Sequence, residues 1–315
     1  MEAIIVGAGI IAGGSSQDSL ESYFSNHFAE YLKKNISVTW IIDINIERAR
    51  SFAHKYNIPN VGTDIRDVTS NANEIFLSIC SSTDSHFSIF CSGLEHFRDK
   101  KLRVWLEKPS SHLLDEIKKM EILASKAHCD VLINYPRRYD QNFIWVKNLI
   151  ESDKLQKVFL RYSKGCMHNL PHFINILHWY CGDLKKVEFS KRTTRNNFID
   201  LDGIFIFGDT EVVISSVNHQ YFDHYELDIL LDDKMFRFQD GGLELEEFEA
   251  VNRFSNSQKF LKKMQTYPSS SHDAMTNSLD ALIHGGDKVH TNLNSDYRIH
   301  ADIKTMLKWG VNETI

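Results

Sequence analysis

Six residues near the start of the chain, Gly7-Ala8-Gly9-Ile10-Ile11-Ala12, constrain the fold more than any other stretch. They follow the apolar run AIIV directly and precede a helical pattern, so a buried strand must turn sharply into a helix at Gly7. In a G-x-G-x-x-A run the first glycine permits the turn, and the second lets a ligand's pyrophosphate approach the backbone. The small third residue lets helix and strand pack closely. A tight turn without a ligand is the alternative reading. From Ala12 to Asp43 the spacing exceeds the usual ~20 residues, so Gly13 to Asp18 reads as an insertion or a loosened helix start.

Strand-like and helix-like segments then alternate. VTWIID, EIFLSIC, LRVWL and VLINY read as strands, and FSNHFAEYLKK, NIERARSFAHKYN and LLDEIKKMEILASKAH as helices, which is the pattern of a parallel sheet covered on both faces. After about residue 140 the pattern changes to hairpins. GIFIFG and EVVISSV meet at Gly208-Asp209, and YELDILLD and KMFRF meet at Asp232-Asp233. Asp240-Gly241-Gly242 then leads into LELEEF. With the apolar helix FINILHWY before them, these strands predict a second, α+β domain with a mostly antiparallel sheet. The expected division is 1–137 and 138–315, an α/β chain whose residues 272–284 and 296–309 form amphipathic helices and whose polar stretch 256–273 is a loop or lid.

Composition narrows the function. A length of 315 residues suits two domains, and a net charge of -6 offers no basic surface for nucleic acid or an anionic membrane. A small molecule is the expected partner. The 5 cysteines are an odd number and scattered, which suggests neither a disulfide framework nor a zinc knuckle. His168, His172 and His178 lack carboxylate or cysteine partners at metal spacing, so no metal is expected. The first strand begins almost at Met1, with no targeting segment before it, and a cytoplasmic protein is expected.

Several residues stand where strand ends meet a ligand. Asp43 closes the second apolar strand, where a carboxylate accepts from ribose hydroxyls and repels a 2′-phosphate, which favours NAD over NADP. Arg48 pairs with a phosphate or stands on the helix surface. Ser81, Ser82 and Thr83 either touch the cofactor or form an ordinary turn. Lys108, in Glu107-Lys108-Pro109 after LRVWL, is a candidate catalytic cation; an exposed lysine before a loop proline is the alternative. His168, Asn169, His172 and Asn175 fall on overlapping helical faces and gather polar groups on an otherwise apolar helix.

GAGIIA, IIDINIERA, SICSSTDSHF, WLEKP, INYPRRYD and HNLPHFINILHWYCG, taken in order, resemble the glucose-fructose oxidoreductase / inositol dehydrogenase (Gfo/Idh/MocA) superfamily. The resemblance implies a Rossmann domain and a second domain whose open sheet serves a homo-dimer or homo-tetramer. It also implies hydride transfer at a sugar or cyclitol carbon. It assigns the cofactor to Gly7, Gly9, Ile10, Ile11, Ala12, Asp43, Ser81, Ser82, Thr83, His86, Glu107 and Lys108. Lys108 would stand between nicotinamide and substrate, before an often cis peptide, with Glu107 orienting it. His172 would be the general base, and Tyr135, Arg138, His168, Asn169 and Asn175 the substrate contacts. The basic pair Arg137-Arg138 matches the family's; pairing with Asp140 or Glu107 is its structural alternative. Many sugar-oxidising members carry aspartates where this chain has His168 and Asn175, and Asn169 is placed to take the first role. Amide-bearing variants act on nucleotide-linked or N-acetylated sugars. Two other outcomes are an NAD-dependent glycosidase that oxidises, eliminates and re-reduces, and a non-catalytic dinucleotide-binding regulator.

Overall fold

The computed structural model describes residues 1–13, 25–151, 154–195, 197–218, 222, 224–252 and 259–309. The chain divides into two compact units. One comprises Met1–Pro136 with His272–Tyr297, the other Arg137–Ser271 with Arg298–Ile315.

The first unit is built on six strands, β1 (Glu2–Val6), β2 (Ser37–Ile42), β3 (Asn60–Gly62), β4 (Glu74–Ile79), β5 (Lys101–Leu106) and β6 (Asp130–Ile133). All pair in parallel, in the order β3-β2-β1-β4-β5-β6. Their residues are buried in near-continuous runs because helices cover both faces: α1 (His27–Lys33), α2 (Ile46–Tyr56), α3 (Thr83–His96) and α4 (Leu114–Lys126). Asn45 caps α2 by accepting from the Glu47 and Arg48 amides, and Asn57 ends it in the left-handed conformation. The strand order reverses between β1 and β4, and at such a switch point the loops at the carboxyl ends of neighbouring strands part and leave a crevice.

In the second unit the strands are β7 (Leu155–Tyr162), β8 (Leu184–Arg195), β9 (Phe198–Phe207), β10 (Thr210–Ser216), β11 (Tyr225–Leu231), β12 (Lys234–Gln239), β13 (Glu244–Asn252) and β14 (Lys259–Pro268). They form one sheet in the order β14-β13-β12-β11-β7-β10-β9-β8, in which only β7 and β10 run parallel. Helices α5 (Gln141–Ile150) and α6 (Leu170–Tyr180) carry apolar faces, and Phe143 of α5 stacks on Phe238 of β12 at 4.0 Å between ring centroids.

Two differences from the sequence pattern have physical causes. The polar stretch 256–273, expected as a loop or lid, contains β14; its residues 256–258 lie outside the described set. Backbone pairing with β13 makes the strand. Almost every side chain on it is exposed, so no apolar alternation marked it in the sequence. The two C-terminal helices form as expected, as α7 (Ser271–His284) and α8 (Leu293–Lys308), but His272–Tyr297 joins the first unit although the pattern placed all of 138–315 in the second domain. Polar contacts tie this return segment down. Lys34 pairs with Asp280 at 2.6 Å, Thr276 donates to Glu30 at 2.6 Å, and the Ile133 amide donates to the Thr291 carbonyl at 2.6 Å. None of these long-range pairs has a local signature in the sequence.

Candidate functional site

The glycine loop meets the end of β4 as closely as two backbones can. Gly7 has φ 96°, and a Cβ on it would lie 2.6 Å from the Ser81 amide nitrogen. Only glycine fits there. At Gly9 the same construction meets no atom of the described residues within 4 Å, so its flank is open among them. Ala12 is fully buried, as the third fingerprint position requires. Ile10 is 79% exposed at the tip of the turn. The Ile11 and Ala12 carbonyls accept from the His27 and Phe28 amides, so the loop is joined directly to the start of α1. Residues 14–24, which include most of the proposed insertion, lie outside the described residues.

Beside this loop lies a cavity of about 680 Å³ lined by Gly7, Gly9, Asp43, Arg48, Arg66 and Ser81, among others. Its volume falls within the range of small-molecule and cofactor sites. Asp43 is buried, and its two carboxylate oxygens accept from the Ala8 and Asn45 amides, each at 2.9 Å. It therefore braces the glycine loop as well as facing the cavity. Arg48 reaches to 3.7 Å from Asp43 Oδ2 and lines the cavity, which gives this exposed residue more than a surface role. Across from it Arg66 forms a two-point pair with Asp64, through Nε to Oδ1 at 2.8 Å and Nη2 to Oδ2. That pairing holds the Asp64 carboxyl well below the usual carboxylate range.

Ser81 and Ser82 line the cavity, and so do Ser85, Ser88 and Ser92 of α3. Their spacing of three and four places them on one helical face, a signal present in the sequence but not used. Arg66, in a short turn after β3, had no such signal. His86, expected at the cofactor, is buried instead. Its Nε2 and Nδ1 face the Ser81 and Pro109 carbonyls at 3.0 and 2.9 Å; burial lowers its pKa, and the neutral ring donates to one of the two, with both nitrogens turned towards protein groups. Thr83 is the first residue of α3.

Lys108 leaves the carboxyl end of β5, at the same edge of the sheet as Gly7, Asp43 and Ser81, and the Lys108-Pro109 peptide is cis. The turn is pinned beyond the proline, where the Ser110 amide donates to Asp296 Oδ2 at 3.0 Å and the Ser110 hydroxyl donates to the same oxygen at 2.5 Å. Tyr135, expected as a substrate contact, donates its hydroxyl to Asp296 Oδ1 at 2.6 Å and is buried, so it supports this turn instead. Glu107 accepts from Asn134 Nδ2 at 2.6 Å, and its Oε1 lies 3.0 Å from His27 Nε2. Burial raises the pKa of Glu107, but His27, Asn134 and Lys108 outweigh that and leave it below its ordinary value.

In the second unit, α6 carries the polar set. His168 is exposed just before the helix and His172 is half-buried within it. Asn169 donates to the Ser163 carbonyl at 2.9 Å and to the Tyr225 hydroxyl at 2.5 Å. Asn175 is buried and its Oδ1 has no hydrogen-bond partner among the described residues, a cost of about 1 to 3 kcal/mol unless a ligand or water supplies a donor. Arg138 donates to the Asn175 carbonyl at 3.4 Å and lies 4.3 Å over the Trp179 ring; burial brings its pKa down to about 10. Arg137 donates to the Gly241 carbonyl at 2.7 Å, lies over Phe173 and feels the charge of Asp140, one of the acidic partners that its structural alternative named. His178 pairs with Asp302 at 2.7 Å.

Residues 1–135 match an oxidoreductase family with an NAD-binding Rossmann fold, Gfo/Idh/MocA. These residues carry that family's NAD-binding Rossmann fold. Myo-inositol 2-dehydrogenase of Thermotoga maritima is 26% identical over 117 residues, which are 37% of this chain and 34% of that protein. The matched stretch thus spans about a third of the length of its curated relatives. Two crystal structures share the fold over nearly the whole chain. An oxidoreductase from Agrobacterium radiobacter in complex with NAD+, L-tartaric acid and magnesium superposes with a TM-score of 0.76 at 14% identity, covering 99% of this chain and 96% of that one. UDP-N-acetylglucosamine 3-dehydrogenase GnnA from Acidithiobacillus ferrooxidans does so with 0.77 at 12%, covering 97% and 96%. No helix among the described residues is long and apolar enough to cross a membrane.

The dinucleotide family fits these residues, since the open flank of Gly9 leaves room that a diphosphate requires. Gly9→Ala is expected to keep the wild-type melting temperature and weaken NADH binding by about tenfold or more, equivalent to 1.4 kcal/mol or more, in a fluorescence titration. Gly7→Ala is expected to lower the melting temperature itself, because its methyl group meets the Ser81 backbone.

Proposed function

We propose that this protein is an NAD-dependent dehydrogenase or reductase of a sugar, sugar acid or nucleotide sugar, with Lys108 and His172 assisting proton transfer. The observation that carries the reading is the position of Lys108 on a pinned turn at the edge of the parallel sheet that also carries Gly7, Asp43 and Ser81. NAD, when bound, accepts or returns the hydride. Lys108 holds positive charge beside the substrate oxygen as it gains or loses a proton, and His172 takes the hydroxyl proton in the oxidative direction. The buried Asn175 Oδ1 supports a substrate that donates a hydrogen bond, as a sugar hydroxyl or an amide does. The amides that replace the carboxylates of many family members, at Asn169 and Asn175, favour a nucleotide-linked or N-acetylated sugar.

NAD is favoured over NADP because Arg48 and Arg66 already face carboxylates. A 2′-phosphate would have to draw Arg48 from Asp43 or Arg66 from Asp64, and Asp43 would repel it. Titrations are expected to give tighter binding of NAD+ than of NADP+. In a panel of sugars and nucleotide sugars monitored at the NADH absorbance, Lys108→Ala and His172→Ala are expected to lower turnover by about a hundredfold or more while leaving NADH affinity within a factor of about three. Normal turnover in Lys108→Ala would end this mechanism. NAD+ binding without turnover on any member of the panel would favour a regulator, and release of a free sugar without net NADH would favour the glycosidase reaction.

We also propose a homo-dimer or homo-tetramer. β14 ends the sheet order with Phe260, Leu261 and Met264 exposed by 44%, 43% and 49%, an edge that pairing with a second copy would cover. Light scattering after size exclusion is expected to give a dimeric or tetrameric mass that falls when Phe260 and Met264 are changed to Lys. A monomeric mass for the wild type at all concentrations would refute it.

A further inference from the structure

Behind the Glu107-Lys108-Pro109 turn lies a buried polar chain that no nucleotide or substrate role requires. His27, the first residue of α1, has no solvent exposure and stacks against Trp105 at 4.0 Å between ring centroids. Its Nε2 lies 3.0 Å from Glu107 Oε1 and its Nδ1 lies 2.8 Å from Ser78 Oγ, on β4. Ser78 Oγ in turn lies 2.8 Å from the hydroxyl of the fully buried Tyr31.

Donor and acceptor capacity sets the direction of this chain. Glu107 is the one member that only accepts when ionised, so His27 Nε2 carries a hydrogen and donates to it. A neutral imidazole then accepts at Nδ1, so the Ser78 hydroxyl donates to His27 and Tyr31 donates to Ser78. Every hydrogen in the chain has an acceptor in this order. A protonated His27 would donate at both nitrogens, and the Ser78 hydroxyl, then accepting from it, would have to find another acceptor in a buried setting.

We propose that His27 is a positioning residue for the catalytic lysine: held as its Nε2–H tautomer by Ser78 and Tyr31, it keeps the largely buried Glu107 carboxylate ionised and fixed beside Lys108, and so favours the cationic form of Lys108. The proposal rests on the reading of Lys108 given above and adds the residue that sets its charge. Besides His27, the groups that bear on Glu107 are Asn134 by hydrogen bond and Lys108, Cys80, His86 and Tyr135 by charge. Asn134 and His27 both hydrogen-bond the carboxylate, at Oε1. A largely buried carboxylate that loses a donor takes up a proton more readily, and its neighbouring ammonium then loses its counter-charge.

The test reads the charge of Lys108 directly, without a substrate. Trace acetylation of the full-length protein at a series of pH values, with Lys108 quantified by mass spectrometry against exposed lysines, gives its titration profile. In His27→Phe the reactivity of Lys108 at pH 8 is expected to rise about tenfold, the change that a fall of one unit in a lysine pKa brings. His27→Gln, whose amide can donate to Glu107, is expected to restore most of the wild-type profile. Ser78→Ala, which frees the tautomer, is expected to fall between, and it decides the matter if His27→Phe does not fold. Profiles that superimpose on the wild type in every folded variant would overturn the proposal. If the shift is found but Lys108→Ala keeps normal turnover, the coupling stands and the catalytic reading of Lys108 fails.

Discussion

The approach of Gly7 to the end of β4 is the constraint on which the rest of the first unit depends. A side chain there would overlap the Cys80 carbonyl and the Ser81 amide, so the two loops can meet only through glycine. Their meeting brings the backbone after β1 to the cavity wall beside Ser81, while Asp43 braces the next residue, Ala8, from β2. The Cys80 amide donates to the Val6 carbonyl at 2.7 Å and the Gly7 amide to the Ile42 carbonyl at 2.7 Å, so three strand ends are tied at one point. A crevice follows from this knot together with the reversal of strand order beside it.

Residues chosen for chemistry and residues that hold them in place are interleaved along the same few segments. Lys108 is presented by a turn whose own polar groups are bound by Asp296, His86 and Tyr135, the last two through a carbonyl and through Asp296 respectively. Such bracing lets a long, flexible lysine side chain start from a fixed backbone. In the second unit the equivalent economy is visible at Arg137 and Arg138, whose guanidinium groups are buried over aromatic rings, where desolvation brings both pKa values down to about 10. On α6 the buried Asn175 oxygen lacks a hydrogen-bond partner among the described residues, and it marks a place on the helix where a ligand's donor would be matched.

Much of the architecture was legible because its signals are local. Apolar runs ended by Gly7, Asp43 and Glu107 announced buried parallel strands, and Gly208-Asp209 and Asp232-Asp233 announced hairpins that the structure contains. Short or polar strands escaped, β3 because three residues carry no period and β14 because its faces are equally exposed. The return of His272–Tyr297 to the first unit depends on pairs such as Lys34 with Asp280, whose partners lie far apart in sequence. Site residues divide in the same way. Glycines and strand-end acids could be read from position, whereas the supporting roles of Tyr135 and His86 became visible only with their partners, Asp296 and the Ser81 and Pro109 carbonyls. His27 had no sequence signal at all, since its meaning lies in Ser78 and Glu107.

The central claim is that the crevice between the ends of β1, β2 and β4 receives NAD. Hydrogen–deuterium exchange of the intact protein with and without saturating NAD+, followed by peptide mass spectrometry, tests it most directly. Slower exchange is expected in the peptides that hold Gly7 to Ala12, Asp43 to Arg48 and Ser81 to Ser85, with the open sheet edge at β14 unchanged by direct contact. Protection confined to other segments, or none under saturating NAD+, would contradict the account.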